Sequence, residues 1–439
     1  MHFRFLVFVS LVHYLSGATA QVSNNTTKPD TLTLTLADAE KIMISQNLTL
    51  LARKYDISAA RAQVVQAKLW DNPTMYFETN PYNGQTRRFF AYYPSNEVTA
   101  NGNYAGNETI GSIDQVIKTA GKRSNLVKLN RINAEIAEFV FYDALRSLKF
   151  ALRSDFSLLI QFQQSVQLLN DEIMAAERLI NITQEQLLKG NFAEKDLIRL
   201  QALEFSLQMM KRDFLKQSTD TQAEVKNLLG VKPNVYLVAI RDTSIYSRQI
   251  PQLVDPLLEM AQEKRSDLKA MEGQFRAAEM NVRLQKSMAV PDADVTINYT
   301  RYSNYIIDYI GLGLRMELPL LNRNQGNIRS AKEALNSQQS SYNNFQNQVS
   351  NEVVAAFNEL HNSKNAYESF DRPFIGKFDI YFKKLLINFQ RRVIGLIEFI
   401  DFFETYRDTK LSSFNLEQDY FEAMELLNFK VGTEVINTK

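Results

Sequence analysis

The sequence predicts a mainly α protein built on two long antiparallel helical hairpins, the second a copy of the first, with a small β part set between helices. Three observations predict it. Apolar residues recur from Leu126 to Ile180 in fifteen steps over 54 positions, with Ile132, Val140, Leu148, Phe156 and Leu169 among them, a mean step of 3.6, the α-helical period. No proline or glycine interrupts Ser124 to Leu188, so the run could extend roughly 100 Å at about 1.5 Å per residue. After Gly190 a second periodic run (Leu197, Leu200, Leu203, Leu207, Met210, Phe214) reaches Gly230, and a short turn forces the two helices antiparallel. The arrangement then recurs 202 positions later without a gap, pairing Lys122 with Asn324, Phe192 with Ile394 and Asp196 with Glu398. A hairpin of this length cannot bury its apolar stripe alone. Stacking against neighbours hides it, so an assembly is expected, closed into a ring of copies.

Composition narrows the function classes. Fifty basic against 49 acidic residues leave no field to hold nucleic acid, which requires a basic surplus on one face. The chain has no cysteine and three histidines, two of them (His2, His13) in the first twenty residues. That leaves His361, too little for a zinc site or a Ser/His/Asp triad. No catalytic residue, cofactor or metal site is expected.

Residues 1–20 read as a signal peptide: Arg4, an apolar Phe5 to Leu15, and Ala18-Thr19-Ala20 before the cleavage point. Beyond it no run of about 18 apolar residues offers a membrane helix. Gln21 to Thr31 reads as a flexible lead-in, and Thr35 with Asp38 as a capping box opening one helix that stops at Asp71-Asn72-Pro73. A matching helix opens at Asp255-Pro256 and stops at Val290-Pro291, with an offset of 220. The first repeat is read as 21–230 with a β-hairpin at about 74–118 and a helical hairpin at 122–229. Residues 231–255 form an irregular linker. The second repeat is 256–430 with a β-hairpin at about 293–318 and a helical hairpin at 324–429, and 431–439 is a frayed tail. Ser369 to Pro373 should break the second long arm.

The β segments show period-2 alternation: Ala293, Val295, Ile297 and Tyr299, then Ile310, Leu312, Leu314, Met316 and Leu318, each separated by polar residues or glycine. The first repeat carries an extra loop at 94–107. A lone hairpin is marginal, and several chains closing such strands into one barrel would turn the alternation into lipid-facing and lumen-facing sides. Trp70, Tyr76, Tyr82, Tyr299, Tyr302, Tyr305 and Tyr309 are candidates for a membrane-interface belt, or plain aromatics of a soluble sheet.

Leu36-Ala37-Asp38-Ala39 with Asn47, Gln115 with Gly121-Lys122-Arg123, and Leu318-Pro319 with Asn322-Arg323 and Gly326, in this order within a duplicated frame, resemble the TolC-type family of outer-membrane efflux proteins. The resemblance implies a homotrimer. Its α-barrel would run on into a 12-stranded outer-membrane β-barrel, four strands per chain, spanning outer membrane lipid and the periplasm of a Gram-negative bacterium. It implies a non-enzymatic exit duct for small toxic compounds or metal ions, docked to a periplasmic adaptor protein and an inner-membrane pump. By the same resemblance Glu398 and Asp401 fall at the periplasmic gate, and their spacing of three places both carboxylates on one helix face. A solvated helix face accounts for the pair equally simply. Arg391 and Arg392 stand where the family has a glycine and are candidate gate residues. Gly190, Glu194 and Asp196 mark the first tip, for adaptor contact. The competing expectation is a secreted or periplasmic coiled-coil scaffold or adhesin, in which the β inserts would be water-soluble.

Overall fold

Turn and capping residues divide the chain into two series of the same order. The computed structural model describes residues 30–84, 87–90, 107–190, 192–241, 248–301, 306, 308–370 and 372–437. The expected leader at 1–20, Tyr302, Tyr305 and nearly all of the 94–107 loop lie outside them. The first series is β1 (Asp30–Thr35), α1 (Leu36–Gln46), α2 (Leu48–Lys68), β2 (Thr74–Thr79), β3 (Tyr82–Asn83), β4 (Arg88–Phe89), β5 (Thr109–Ile117), α3 (Lys122–Leu188) and α4 (Glu194–Leu229). The second is β6 (Val235–Ile240), α5 (Asp255–Lys264), α6 (Ser266–Met288), β7 (Ala293–Arg301), β8 (Asp308–Met316), α7 (Gln325–Ser369), α8 (Arg372–Gln390) and α9 (Leu396–Val431).

The hairpins match expectation. Helix α3 has 67 residues, about 100 Å at the α-helical rise. It begins after Gly121 (φ 70) and is followed by Gly190 (φ 72), and α4 ends on Gly230 (φ 68), all in the left-handed region that glycine enters without strain. The second arm breaks at Ser369, just before Pro373, which cannot donate to the preceding turn.

Four expectations are corrected. Each opening helix is two helices. Asn47 separates α1 from α2, its Oδ1 accepting from Leu50 N (3.1 Å) while its Nδ2 donates to Leu228 O (2.8 Å). Arg265 separates α5 from α6, held by Asp267 (2.6 Å) and Glu352 (2.8 Å). The lead-in is not flexible at its end and the linker is not wholly irregular: β1 and β6 pair in parallel, Asp30 with Val235 through Thr35 with Ile240. Alternation in Thr31-Leu32-Thr33-Leu34 turns Leu34 into a core with Met43, Leu159, Leu229 and Leu237. The tail is docked, not frayed, as far as it is described. Asn428 Oδ1 accepts from Val435 N (2.8 Å) and Ile436 N (2.9 Å), and Ile436 is buried.

Apolar side chains form three cores. One lies between α1, α3, α4 and the β1–β6 pair, one between α5, α7 and α9, and one runs along the tip-side halves of the hairpins through Leu169, Leu179, Leu200, Phe382, Phe399 and Phe403. Where first and second series meet, buried Arg153 pairs with Glu40 (2.5 Å), Glu425 (2.8 Å) and Glu434 (2.5 Å). Multiple carboxylates offset the desolvation of one guanidinium, while losing one partner would leave a buried charge unpaired.

Candidate functional site

Two regions stand out, one at each end of the chain's long axis elements: a sheet whose apolar side is bare, and the paired hairpin tips.

The β-hairpins of both series join into one antiparallel four-stranded sheet, in the order β2-β5-β7-β8. Register aligns side chains across it, because Cα partners share a face. Met75, Ile113, Ile297 and Leu312 form one row, with 77, 52, 56 and 80% of their surface exposed. Phe77, Gly111, Tyr299 and Ile310 form the next row on the same side. The opposite side is polar. Thr74, Asp114, Thr296 and Gly313 share a row, Thr296 Oγ1 donates to Asp114 (2.5 Å), and Arg315 pairs with Asp294 at 3.2 Å and Asp114 at 3.7 Å. Gly311 belongs to this side because a Cβ there would lie 2.3 Å from Asn298 Oδ1. Among the described residues β2 and β8 have no strand on their outer sides.

The interface aromatics divide between the two faces. Tyr299 lies on the apolar side, its hydroxyl donating to Asp308 (2.7 Å), and Trp70 stands 59% exposed below the sheet with the Arg123 guanidinium 4.1 Å over its ring. Tyr76 and Tyr309 instead fall on the polar face, Tyr76 donating to Glu78, which removes them from any belt on the apolar side. Strand parity in the sequence carries that distinction for Tyr309, while for Tyr76 it follows from register. Phe77 is the aromatic that sequence reasoning missed, and its place beside Tyr299 depends on cross-strand register.

At the tips, α3 and α8 both end in a left-handed residue. For α3 it is Gly190, and 202 positions on it is Arg392, with φ 59. Arg392 N donates to Phe389 O (3.0 Å) and Val393 N to Asn388 O (2.9 Å), the paired bonds of a Schellman end. A non-glycine residue there carries strain of about 1–2 kcal/mol, which a contact offsets: the Arg392 guanidinium lies 5.0 Å over the Phe192 ring. Phe192 in turn meets Phe389 edge-on (6.1 Å), and Phe389 stacks on Phe399 (4.7 Å), so the first tip rests on the second. Glu194 and Asp196 occupy the first turn of α4 and Glu398 that of α9, where carboxylates complement the helix dipole. Glu398 and Asp401 are exposed on one side of α9, opposite buried Leu396, Phe399 and Phe403. Arg391 is exposed, and among the described residues neither arginine pairs with Glu398, Asp401 or Asp196 within the chain.

Farther up the hairpins, sequence reasoning missed Glu172. Its carboxylate is 1% exposed with neither oxygen hydrogen-bonded, and burial pushes its pKa up to about 8, the nearby Arg407 charge only partly opposing this. Beside it Tyr406 donates to Asp379 (2.8 Å), which also pairs with Lys410 (3.1 Å). Asp379, Tyr406 and Lys410 line a 790 Å³ groove between α3, α8 and α9.

Three comparisons bear on what such a chain is. Residues 257–369 match the outer membrane efflux protein family. The chain is 22% identical over 309 residues, 66% of its length, to the nickel-cobalt-cadmium resistance protein NccC of Alcaligenes xylosoxydans xylosoxydans, and the match spans 63% of that protein, less than two thirds. Among solved structures, CusC shares the fold at a TM-score of 0.70 with 15% identity, covering 91% of this chain and 92% of CusC. The Campylobacter jejuni CmeC outer membrane channel does so at 0.72 with 14% identity, covering 92 and 87%.

Proposed function

We propose that this chain, whose second series matches the outer membrane efflux protein family over residues 257–369 and whose fold is shared with CusC, is the outer-membrane channel of a tripartite efflux system, a passive duct that spans the outer membrane of a Gram-negative bacterium and reaches into the periplasm. One observation carries the reading: a sheet with one side apolar and bare in aligned rows and the other polar and ion-paired. Water around that sheet would leave large apolar side chains unsatisfied in contiguous rows. Lipid outside and a watery lumen inside satisfy both faces. The free edges of β2 and β8 are complementary, and three copies joined edge to edge give twelve strands with no edge left open. The scaffold reading has no place for the bare face.

The helical hairpins of the trimer continue the duct toward a periplasmic adaptor and an inner-membrane pump, which supplies the energy. Exposed Glu398 and Asp401 then form rings of carboxylates at the tip that favour cations. Arg391, Arg392 and the Phe192 contact hold the closed tip, while Gly190, Glu194 and Asp196 present the turn to the adaptor. Trp70 and Tyr299 stand at the membrane interfaces. Small toxic compounds are the cargo, metal ions among them, as the name of the nickel-cobalt-cadmium relative suggests.

The test is planar-bilayer recording. The purified protein should require detergent, run as a trimer and form cation-selective pores, and Glu398→Ala with Asp401→Ala should reduce both cation selectivity and block by divalent cations. A water-soluble monomer overturns the channel. Unchanged selectivity and block remove the two carboxylates from the gate while leaving the channel intact.

A further inference from the structure

The apolar band of the sheet is too short for the job the channel reading gives it. On β8 the band runs from Ile310 to Met316, roughly 20 Å along the strand, or about 15 Å along the membrane normal for strands tilted near 40°, against a band about 25 Å tall in such barrels. On β8 the next residue of that face on the side away from the helices is Asp308, held by the Tyr299 hydroxyl, whereas on the helical side apolar residues continue past the strand end. Height on the helical side is available as well.

There the strands and helices of both series meet. Lys122 pairs with Asp292 (2.6 Å), Asp292 accepts from Thr119 N (2.9 Å), and Asn324 Nδ2 donates to Gln285 O (2.8 Å), fixing the β5–α3 corner to the start of β7 and the start of α7 to α6. Around this rigid corner a group of exposed side chains is apolar, Leu69, Trp70, Leu318, Leu320 and Leu321, from 55% exposed at Leu69 to 93% at Leu321, with exposed Glu317 the acid beside them. Leu318 and Leu320 keep the parity of Leu312 and Leu314 past the strand end. Cations sit among them. Lys68, Lys286 and Arg323 are exposed and make no ion pair among the described residues, and Arg123 lies over Trp70. Apolar knuckles with tryptophan and unpaired cations suit the boundary between acyl chains and anionic headgroups.

We propose that this corner is an interfacial anchor, with Leu318, Leu320, Leu321, Leu69 and Trp70 seated in the phospholipid of the periplasmic leaflet and Lys68, Lys286 and Arg323 binding anionic headgroups. It completes the hydrophobic height of a short barrel and rests on the channel reading above.

The chain has no cysteine and one tryptophan, so the full-length protein can be probed site by site in vesicles of phosphatidylethanolamine and phosphatidylglycerol. Spin labels on Leu312→Cys and Leu321→Cys should both be relaxed more by oxygen than by a water-soluble nickel chelate, Leu312→Cys being the deeper. Trp70 emission of the unsubstituted protein should be quenched by bromine placed high on the acyl chains. A Leu321→Cys label favouring nickel beside a Leu312→Cys label favouring oxygen overturns the anchor and leaves the channel standing. A Leu321→Cys label reached by neither reagent also overturns it, because a neighbouring copy would then cover the corner. A Leu312→Cys label in water removes both readings. Spin-labelled phosphatidylglycerol should be restricted by the protein in excess over phosphatidylcholine, and the excess should vanish when Lys68, Lys286 and Arg323 are all changed to Gln. Equal restriction of the two lipids by the unsubstituted protein overturns the headgroup contact.

Discussion

The helical hairpins bury a stripe of large apolar side chains between them, whereas the sheet leaves an aligned apolar face bare. Leu169, Leu200 and Phe399 are fully buried, whereas Met75, Ile310 and Leu312 stand 75 to 80% exposed. The residue types are the same, so the difference lies in what surrounds each region. Burying a large apolar side chain contributes about 1.5–3 kcal/mol only where the alternative is water. A face of bare leucine and isoleucine costs nothing in lipid, and polar groups must then be satisfied on the other side, as Asp114, Thr296 and Arg315 are. On the proposed channel reading, two solvents, rather than two kinds of sequence, separate these two regions.

The comparison can be broken most forcefully in the hairpins. Phe399→Ala opens a cavity in the tip-side core and should cost about 3–5 kcal/mol, read as a lowered thermal midpoint of the helical signal, while Leu312→Ala should hardly move it. Equal effects would mean that the two regions share one environment.

Glu172 sharpens the picture of a dry hairpin interior. Its pKa in the fold is raised to about 8 from 4.5, with Asp171 and Asp408 reinforcing burial and Arg407 opposing it. The folded state therefore prefers the protonated form. The stability that this group allows is full below its unfolded value, falls as pH rises from about 4.5, and is lost once pH passes about 8. Glu172→Gln, which mimics the protonated carboxyl, should match the unsubstituted protein in acid and exceed it by a few kcal/mol at mildly alkaline pH. A pH-independent difference would show that water reaches the site.

Leu312→Arg tests the outer solvent directly. Near the midplane of a bilayer it should cost about 2–4 kcal/mol, measured by the denaturant midpoint of folding into vesicles, and a neutral result would put the face in water. The smallest effects belong to the tips. Gly190→Ala meets no atom within 4 Å, so left-handed backbone strain alone should cost about 1–2 kcal/mol. Arg392→Gly relieves a similar strain but gives up the contact with Phe192, and the stability read from the thermal midpoint should change by less than about 1 kcal/mol.

Local signals made much of this legible. The apolar period and the glycines that follow bounded α3 and α4, Pro373 announced the break in the second arm, and strand parity in Ile310 to Met316 announced a two-faced strand. Parity along β7 and β8 separates Tyr309 from Tyr299, while the side taken by Tyr76 follows only from the register of β2 on β5 and β7. The lone acidic pair Glu398 and Asp401 was legible as one helix face, though the spacing by itself says nothing of what that face meets.

The sequence by itself determined the helix lengths, their breaks at proline and glycine, the duplication and the alternation, because each follows from a preference of backbone or side chain within a few residues. Only the tertiary structure decided that β1 pairs with β6 across some two hundred positions, that Asn428 ties down the tail, that Arg153 gathers three carboxylates, and that Glu172 is left without a partner. Those outcomes depend on which distant groups share a buried volume once the helices have packed. Hydrogen-bond satisfaction and desolvation are properties of that shared volume and leave no periodic trace along the chain.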